Sequence, residues 1–361
     1  MGHSESAIKG CLLGLAVGDA MGAPVDKMRW DQICEAYGPD GLLGYDTAND
    51  NADITSYTQL AAFGCNGLLL ATSREKYDKL PRYLAMSQRE WAKSQQFRGT
   101  AEKTFCWLAQ VPRMRTRRCM DSKLLDALGR ESLGTPEKPM LRFETPAALT
   151  TAIAAAVLYD AEKMSQASLI RLGAYAVAFT NGDPLAWCSG AVLACALGNL
   201  LQDPEKLPEE CFAEAAEAVK KVYPGAAAET VQSLLQLAIT YAKDETLSPL
   251  AALSMLGCTT TEQCLAGAVY ACAYSTNDFD NALIAAVNHS GCSCAVAAVT
   301  GAVMGGRLGA EPLPEFYLES LSQASVLSEL ARDIAQGAAA YGAFDTDWDQ
   351  KYNQGLPVNT D

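Results

Sequence analysis

Two stripes of glycine, one near each end of the sequence, constrain the fold more than any other feature. Glycine recurs at every fourth position in both, at Gly10, Gly14, Gly18, Gly22, Gly301, Gly305 and Gly309. This spacing puts the glycines on one face of each helix, where another backbone can approach closely. Because glycine lowers helix stability, its repeated use indicates that close packing is required. We therefore expect these stripes to bring two central helices together.

Helical patterns continue along the rest of the chain, and no segment has the alternating pattern of a strand. The patterns predict helices at about 54–72, 83–94, 100–110, 145–162, 165–179, 185–201, 208–221, 226–242, 248–255, 261–273, 278–288, 293–308 and 324–341. Glycine and proline separate them, with no linker and no fixed-period repeat. The predicted fold is an all-α, compact single-domain helical bundle over residues 1–361. Its core spans about 8–340, and residues 342–361 form an irregular tail.

Charge and composition exclude some partners. Apolar residues make up 49% of the chain and charged residues 19%, which is typical of a globular protein. The formal net charge is −14, so we expect no nucleic-acid partner. The one basic cluster could contact a phosphate or an acidic partner, but a solvated helix end or loop is favoured. Its members are Arg113, Arg115, Arg117 and Arg118.

Cysteine usage predicts a reducing, cytoplasmic location. The chain has 13 cysteines, an odd number, and most stand singly among alanines and leucines. The N-terminus lacks the cationic and apolar regions of a secretion signal. Two apolar stretches, 10–25 and 291–310, are predicted to be buried core helices and not membrane spans. No membrane partner is expected.

Four segments carry a resemblance to a known family. They are residues 10–26 (GCLLGLAVGDAMGAPVD), 134–137 (GTPE), 180–184 (TNGDP) and 264–309, which contains AAVN at 285–288 and the second glycine stripe. In this order they resemble the ADP-ribosylglycohydrolase family over roughly residues 8–335. The resemblance implies the family's compact all-α domain with a central cleft.

That resemblance also implies a chemistry. The family hydrolyses the bond between ADP-ribose and a protein side chain or small acceptor, using two Mg²⁺ ions in the cleft. Hard divalent cations take oxygen ligands, and carboxylates suit them best. The family supplies carboxylates from a Thr-Asp-Asp-Thr motif and from an Asp-x-Asp-Ser/Thr motif ahead of the second glycine stripe.

Both metal-binding motifs are altered in this chain. The first is replaced by Thr55, Ser56, Tyr57 and Thr58, and the second by Cys292, Ser293, Cys294 and Ala295. Four carboxylates are thus missing from two distant segments whose surroundings are retained. We therefore expect no Mg²⁺ cofactor and a cleft that is catalytically silent by the family mechanism.

Other candidate positions follow from the same resemblance. Asp26 stands where family members often carry an acidic residue near the scissile bond, which makes it the candidate catalytic residue. Asp19 is expected to be structural, with a ligand contact as the alternative. Asn181 replaces the histidine of the family's Thr-His-x-x-Pro turn. Asn288 and His289 are further candidates for ligand binding, and residues 144–151 lack the glycines that line the family's cleft.

The altered positions leave alternatives open. Cys292, Cys294 and His289 have the ligand types of a zinc site, but a fourth ligand is missing, so cysteines that fill space are favoured. A Cys–His nucleophile pair is a weaker hypothesis, because no orienting third group can be named. Tyr57 could stack on a ribose or adenine, or its ring could fill the vacated metal volume, which we favour.

Two functional hypotheses result. The first is a silent member of the family that binds an ADP-ribose-like small molecule or an ADP-ribosylated protein, or acts as a scaffold. The second is an active ADP-ribosyl hydrolase with an altered or metal-independent mechanism, in which Asp26 acts as a general base.

Overall fold

The helices follow the predicted pattern in most of the chain. The computed structural model describes residues 2–46, 52–96, 104–119, 121–140, 144–341 and 346–352. Their α-helices are Glu5–Gly22 (α1), Trp30–Tyr37 (α2), Ser56–Ser73 (α3), Leu80–Gln96 (α4), Ser122–Gly129 (α5), Thr151–Val157 (α6), Gln166–Ala178 (α7), Pro184–Gln202 (α8), Pro208–Val222 (α9), Ala226–Ala242 (α10), Pro249–Leu256 (α11), Thr261–Tyr274 (α12), Phe279–Val287 (α13), Ser293–Leu308 (α14), Glu315–Ser320 (α15), Ala324–Gln336 (α16) and Thr346–Tyr352 (α17). These residues contain no strand, and Ala52 and Leu321 form an isolated bridge. The predicted all-α fold is confirmed.

The two glycine stripes pack against each other in the pair formed by α1 and α14. A Cβ atom added to Gly14 would lie 2.1 Å from the carbonyl oxygen of Gly301. One added to Gly305 would lie 2.1 Å from the carbonyl oxygen of Gly10. Since real Cβ atoms do not approach a carbonyl oxygen so closely, any larger residue would push the two helices apart. The same contact continues to Gly22, which lies against the backbone of Cys294.

Local sequence signals set where several helices begin. Ser4 and Asp278 accept backbone N–H bonds in the first turns of α1 and α13. Asp183 caps α8, and Pro184 follows it at the first helical position. These residues satisfy N–H groups that have no partner within the helix.

Some predicted boundaries differ from the structure. The helix predicted at 145–162 is a 3₁₀ turn over Pro146–Thr150 followed by α6, which ends at Val157. Of the helix predicted at 100–110, residues 100–103 lie outside the described residues, and Trp107–Gln110 forms a 3₁₀ turn. Helices α2, α5, α15 and α17 were not predicted. They have six to eight residues each, which is too short for a 3.6-residue period to stand out.

The C-terminal segment is more ordered than its polar sequence predicts. Within the predicted irregular tail, α17 buries Trp348 and Tyr352. The Tyr352 hydroxyl donates to Oδ2 of the buried Asp333 at 2.8 Å, and Lys351 Nζ lies 2.9 Å from the same atom. Two aromatic side chains and one buried acid therefore hold this helix to α16. Residues 342–345 and 353–361 lie outside the described residues.

Two of the described helices are long and apolar enough to cross a membrane. They cover Glu5–Val25 and Pro184–Gln202, and 83% of each apolar window is buried within the protein. Core helices of soluble proteins have the same character, and here the apolar surface packs against neighbouring helices. The stretch at 291–310 forms α14, which is also buried.

Candidate functional site

A buried carboxylate joins α1 to the start of α3. Asp19, near the end of α1, accepts hydrogen bonds from the backbone N–H groups of Thr55 and Thr58 at 2.8 and 3.0 Å. It also accepts from both threonine hydroxyls at 2.6 Å. The carboxylate therefore caps the N-terminus of α3, where negative charge is favoured. The two threonines of the first motif, Thr55 and Thr58, thus connect the start of α3 to α1.

Cys294 brings the second altered motif to the same place. Its thiol donates to Asp19 Oδ1 at 3.1 Å, and its sulfur lies 3.8 Å from Thr55 Oγ1. Its backbone N–H donates to Asp26 Oδ1 at 3.2 Å. The two altered motifs are far apart in the sequence, but Thr55 of the first is in direct contact with Cys294 of the second.

A cleft of about 190 Å³ opens at this wall. Its lining residues are Ala23, Asp26, Lys27, Thr55, Ser56, Tyr57, Arg118, Cys119, Asp121, Leu124, Thr145, Ala147 and Cys294. Small-molecule sites usually have about 300–1,000 Å³. At about 190 Å³ this cleft is smaller than such sites. It has room for a sugar-sized group, and a larger ligand would extend over its rim.

The altered motif positions divide into two groups. Thr55, Ser56, Tyr57 and Cys294 line the cleft together with Asp26. Thr58, Ala295 and Cys292 do not line it and are 0%, 1% and 6% exposed. The Tyr57 side chain is nearly buried, and it lines the cleft together with Cys294.

Asp26 is the carboxylate that faces the cleft from the α1 side. Burial raises its pKa above the usual range of an aspartate, while the Cys294 N–H and the charge of Lys27 act against this rise. Lys27 has a left-handed backbone with φ of 63°, and its N–H donates to the Gly291 carbonyl at 2.8 Å. Asp26 can therefore accept a proton more readily than an exposed aspartate.

The rim contains charged groups that sequence reasoning missed as site residues. Arg118 forms an ion pair with Asp53 at 2.7 Å, and Asp121 caps α5. Lys27, Cys119 and Thr145 also line the cleft. All five lie in loops or at helix ends, where periodicity gives no signal. The basic cluster at 113–118 was the one indication, and one of its members reaches the cleft.

Two polar candidates, Asn181 and Asn288, hold the backbone and do not line the cleft. Asn181 bonds both backbone groups of Thr145, at 3.2 and 2.9 Å. Asn288 does the same for Leu42, at 2.8 and 2.9 Å. Neither amide is among the residues that line the cleft, so their role as ligand contacts stays a prediction. Asn181 still acts on the cleft indirectly, since Thr145 is part of its lining.

His289 makes no hydrogen bond to the cysteines with which a zinc site or a nucleophile pair was considered as the disfavoured alternative. Its ring is fully buried, and neither ring nitrogen is hydrogen-bonded to a thiol. Burial lowers its pKa to about 4, so the ring is neutral at physiological pH. The described residues thus provide no Cys–His pair between His289 and Cys292.

The comparisons with known proteins agree with this framework. The sequence model of the ADP-ribosylglycohydrolase family matches residues 3–343. The chain belongs to the ADP-ribosylglycohydrolase family. A solved structure described as an ADP-ribosylglycohydrolase-related protein complex has a TM-score of 0.55 to this chain at 21% identity. That similarity covers 92% of this chain and 97% of the other. No curated protein sequence has a significant match to this chain.

The residues that this family member has at the cleft do not fit two Mg²⁺ ions. Both oxygens of Asp19 already accept hydrogen bonds from threonines, and Oδ1 also accepts one from the Cys294 thiol. In the part of the chain that the structure describes, no three His, Cys, Asp or Glu side chains are arranged to hold a metal ion. Hard divalent ions need several oxygen ligands, but the cleft is lined by only two carboxylates among the described residues, and one of them, Asp121, caps α5.

Proposed function

We propose that this chain binds an ADP-ribose-like small molecule or an ADP-ribosylated protein in the cytoplasm without performing the Mg²⁺-dependent hydrolysis of its family. The cleft next to Asp26 is the proposed binding site, and a ribose is the group that fits it. The family's substrates contain that ribose, which supports this ligand class.

One observation carries the proposal. At the wall where the family motifs meet, the carboxylate of Asp19 is fully used as a helix cap, and a thiol from Cys294 occupies its remaining side. A metal ion there would have to displace hydrogen bonds to a buried charge, each of which stabilises the fold by about 1.5–3 kcal/mol. Binding without metal is consistent with this arrangement.

The lining of the cleft also favours a sugar hydroxyl over an apolar group. Asp26 offers a carboxylate, Ser56 and Thr145 offer polar side chains, and Lys27 offers a cation at the rim. Sugar hydroxyls both donate and accept hydrogen bonds, so they can use each of these groups. A phosphate outside the cleft would lie near the Lys27 side of the rim.

Isothermal titration calorimetry with ADP-ribose tests the proposal. We expect binding with the same affinity in the presence of Mg²⁺ and in the presence of a chelator. Asp26→Asn should reduce that affinity, whereas Asp40→Asn, at an exposed site away from the cleft, should not. Binding that requires Mg²⁺, or no binding in either condition, would contradict the proposal.

A second candidate function is metal-independent hydrolysis, and the raised pKa of Asp26 is the observation that favours it. Asp26 would take a proton from water as the water attacks the anomeric carbon and the acceptor group leaves. Release of free ADP-ribose from an ADP-ribosylated protein in the presence of a chelator would support this function. Loss of that release in Asp26→Asn, with folding retained, is the required control.

A further inference from the structure

A second pocket lies at the C-terminal end of α3, and the proposed function does not use it. Its volume is about 300 Å³, at the lower end of the usual range for small-molecule sites. Helix α3 has 18 residues and is therefore about 27 Å long, and the cleft lies at its other end. The pocket and the cleft share no lining residue, so the two are separate sites.

Three helices end at this pocket. Thr72 and Ser73, which line it, are the last two residues of α3. Val157 is the last residue of α6, and Ala335 lies in the last turn of α16. The carbonyl end of a helix carries partial negative charge, which favours a cation nearby. Three such ends at one pocket make it a better environment for a cation than for an anion.

Asp160 adds a full negative charge to the lining, three residues after the end of α6. Burial raises the pKa of Tyr77 and Tyr159, and the charge of Asp160 adds to both rises. Both tyrosines line the pocket, so this charge acts on more than one of its sides. Arg74 and Lys76 follow α3 in the sequence, but the described residues that line the pocket include no arginine or lysine. The charged group of the lining is therefore a carboxylate.

Three uncharged polar side chains of the lining present hydrogen-bond acceptors. The hydroxyls of Thr72 and Ser73 donate to carbonyls of the preceding turn of α3 at 3.1 and 3.0 Å, which leaves their lone pairs for a ligand. His3 is only 9% exposed, and its Nε2 lies 2.9 Å from the carbonyl of Ala156. Burial lowers the pKa of His3, and in the neutral ring a hydrogen on Nε2 makes Nδ1 an acceptor. Nδ1 has no hydrogen-bond partner within the protein.

The rest of the lining suits an apolar group. Ile8, Leu69 and Val157 supply aliphatic surface, and Tyr77 and Tyr159 supply aromatic rings. Aromatic rings also attract cations through their negative faces. A ligand with charged N–H donors at one end and a hydrocarbon at the other would therefore use every kind of group in this lining.

We propose that this pocket binds a small primary amine in its ammonium form, with an apolar group attached to the charged end. An ammonium has three N–H donors and no acceptor, which suits the carboxylate of Asp160 and the hydroxyl oxygens of Thr72 and Ser73. A carboxylate or phosphate ligand would instead meet a carboxylate and three helix ends of its own sign. This inference does not depend on the ligand of the cleft.

Isothermal titration calorimetry with three probes that share a phenyl group tests the charge preference. Phenethylamine carries an ammonium, 2-phenylethanol is its neutral counterpart, and phenylacetate carries a carboxylate. At pH 7 we expect the full-length protein to bind phenethylamine at least about ten-fold more tightly than 2-phenylethanol, because charge-assisted hydrogen bonds are the stronger ones. Phenylacetate should not bind. Equal affinity for the amine and the alcohol, or no binding of the amine, would overturn the proposal.

A charge-removing substitution tests the carboxylate. Asp160→Asn keeps an oxygen for the N–H of Glu162 and should weaken the binding of phenethylamine at least about ten-fold. Asp40→Asn, at an exposed site outside the pocket, should leave that affinity unchanged. An Asp160→Asn protein that is folded and binds the amine as tightly as the parent would contradict the assigned role of the carboxylate.

A space-filling substitution tests the location. Ala335→Leu places a larger side chain in the pocket and should abolish the binding of phenethylamine. Ala213→Leu, at another partly buried helical alanine, should not affect it. Titration with ADP-ribose should give the same result for Ala335→Leu as for the parent, so the two sites are tested separately. Undiminished amine binding by Ala335→Leu would place the amine elsewhere and overturn the proposal, even if Asp160→Asn fails to fold.

Discussion

At the residue scale, Asp19 is the side chain on which the cleft wall depends most. Its carboxylate accepts four hydrogen bonds from the start of α3 and one from the Cys294 thiol. In Asp19→Asn, an NH₂ group replaces one carboxylate oxygen, and this group cannot accept hydrogen bonds. We expect a loss of about 1.5–3 kcal/mol in the free energy of unfolding, measured by urea denaturation. Asp40→Asn, at an exposed position, should change it by less than about 0.5 kcal/mol.

Asp26 should have the opposite effect on stability, and that effect should depend on pH. Burial raises the pKa of its carboxyl in the folded state. The charged form therefore costs stability as pH rises above about 4, the pKa of an unfolded aspartate. Asp26→Asn keeps an oxygen for the Cys294 N–H and removes this cost. Its melting temperature should exceed that of the parent at pH 7, and the difference should vanish at about pH 3.

A pH-independent difference, or a less stable Asp26→Asn protein at pH 7, would contradict this view of Asp26. Asp244→Asn is the matched control, because its carboxyl is fully exposed and its pKa is lowered by the hydroxyl and N–H of Thr246. Because its pKa is lowered, any effect of the Asp244 carboxylate on the folded state is stabilising at neutral pH. That effect is lost as the pH falls through the folded-state pKa.

At the element scale, the α1–α14 pair depends on glycine. In Gly14→Ala the new Cβ would meet the Gly301 carbonyl at 2.1 Å, and the backbone there cannot rotate away as a side chain could. We expect a loss of about 1–3 kcal/mol in the free energy of unfolding. Gly129→Ala is the matched control, because this helical glycine has no atom within 4 Å of its Cβ position.

Helix propensity alone predicts that both alanine variants stabilise their helices by up to about 1 kcal/mol. We expect that gain only at Gly129. Thermal unfolding followed by circular dichroism at 222 nm measures both. A stabilised Gly14→Ala protein would mean that α1 and α14 are not in backbone contact.

The long helices could be predicted from the sequence because their apolar residues and breakers recur over many turns. Gly10–Gly22 and Gly301–Gly309 also predicted which helices meet, since only close packing accounts for such spacing. The short helices α2 and α5 could not be predicted, because eight residues span two turns. Helix α17 depends on Tyr352 reaching the buried Asp333, a tertiary contact that no local pattern contains.

At the scale of the whole molecule, the site was predictable where the family motifs identify it and not elsewhere. The meeting of Thr55 with Cys294 follows from the family resemblance, which implies that the two motifs face one another across a shared site. Two features of the site depend on how loops close over the helices. They are the hydrogen bonds that two threonines donate to Asp19, and the positions of Lys27 and Arg118 on the rim. Those contacts join residues far apart in the sequence, so neither spacing nor composition contains them.

The central claim is that this chain keeps the family framework while the positions of its metal ligands hold other side chains. Replacing Ser56, Tyr57, Cys292 and Cys294 by Asp, and Ala295 by Ser, should restore an oxygen-rich pocket beside Asp19 and Asp26. The added carboxylates repel one another and lower the stability of the metal-free protein. Mg²⁺ that binds the folded state offsets this loss by mass action. A variant with Asn in place of each Asp provides the uncharged control.

The melting temperature of the five-fold variant, measured with Mg²⁺ and with a chelator, is the most direct test. We expect Mg²⁺ to raise the melting temperature of the Asp variant and to leave the parent and the Asn control unchanged. If the Asp variant folds and its melting temperature does not respond to Mg²⁺, these positions do not converge on a metal site. That result would contradict the claim.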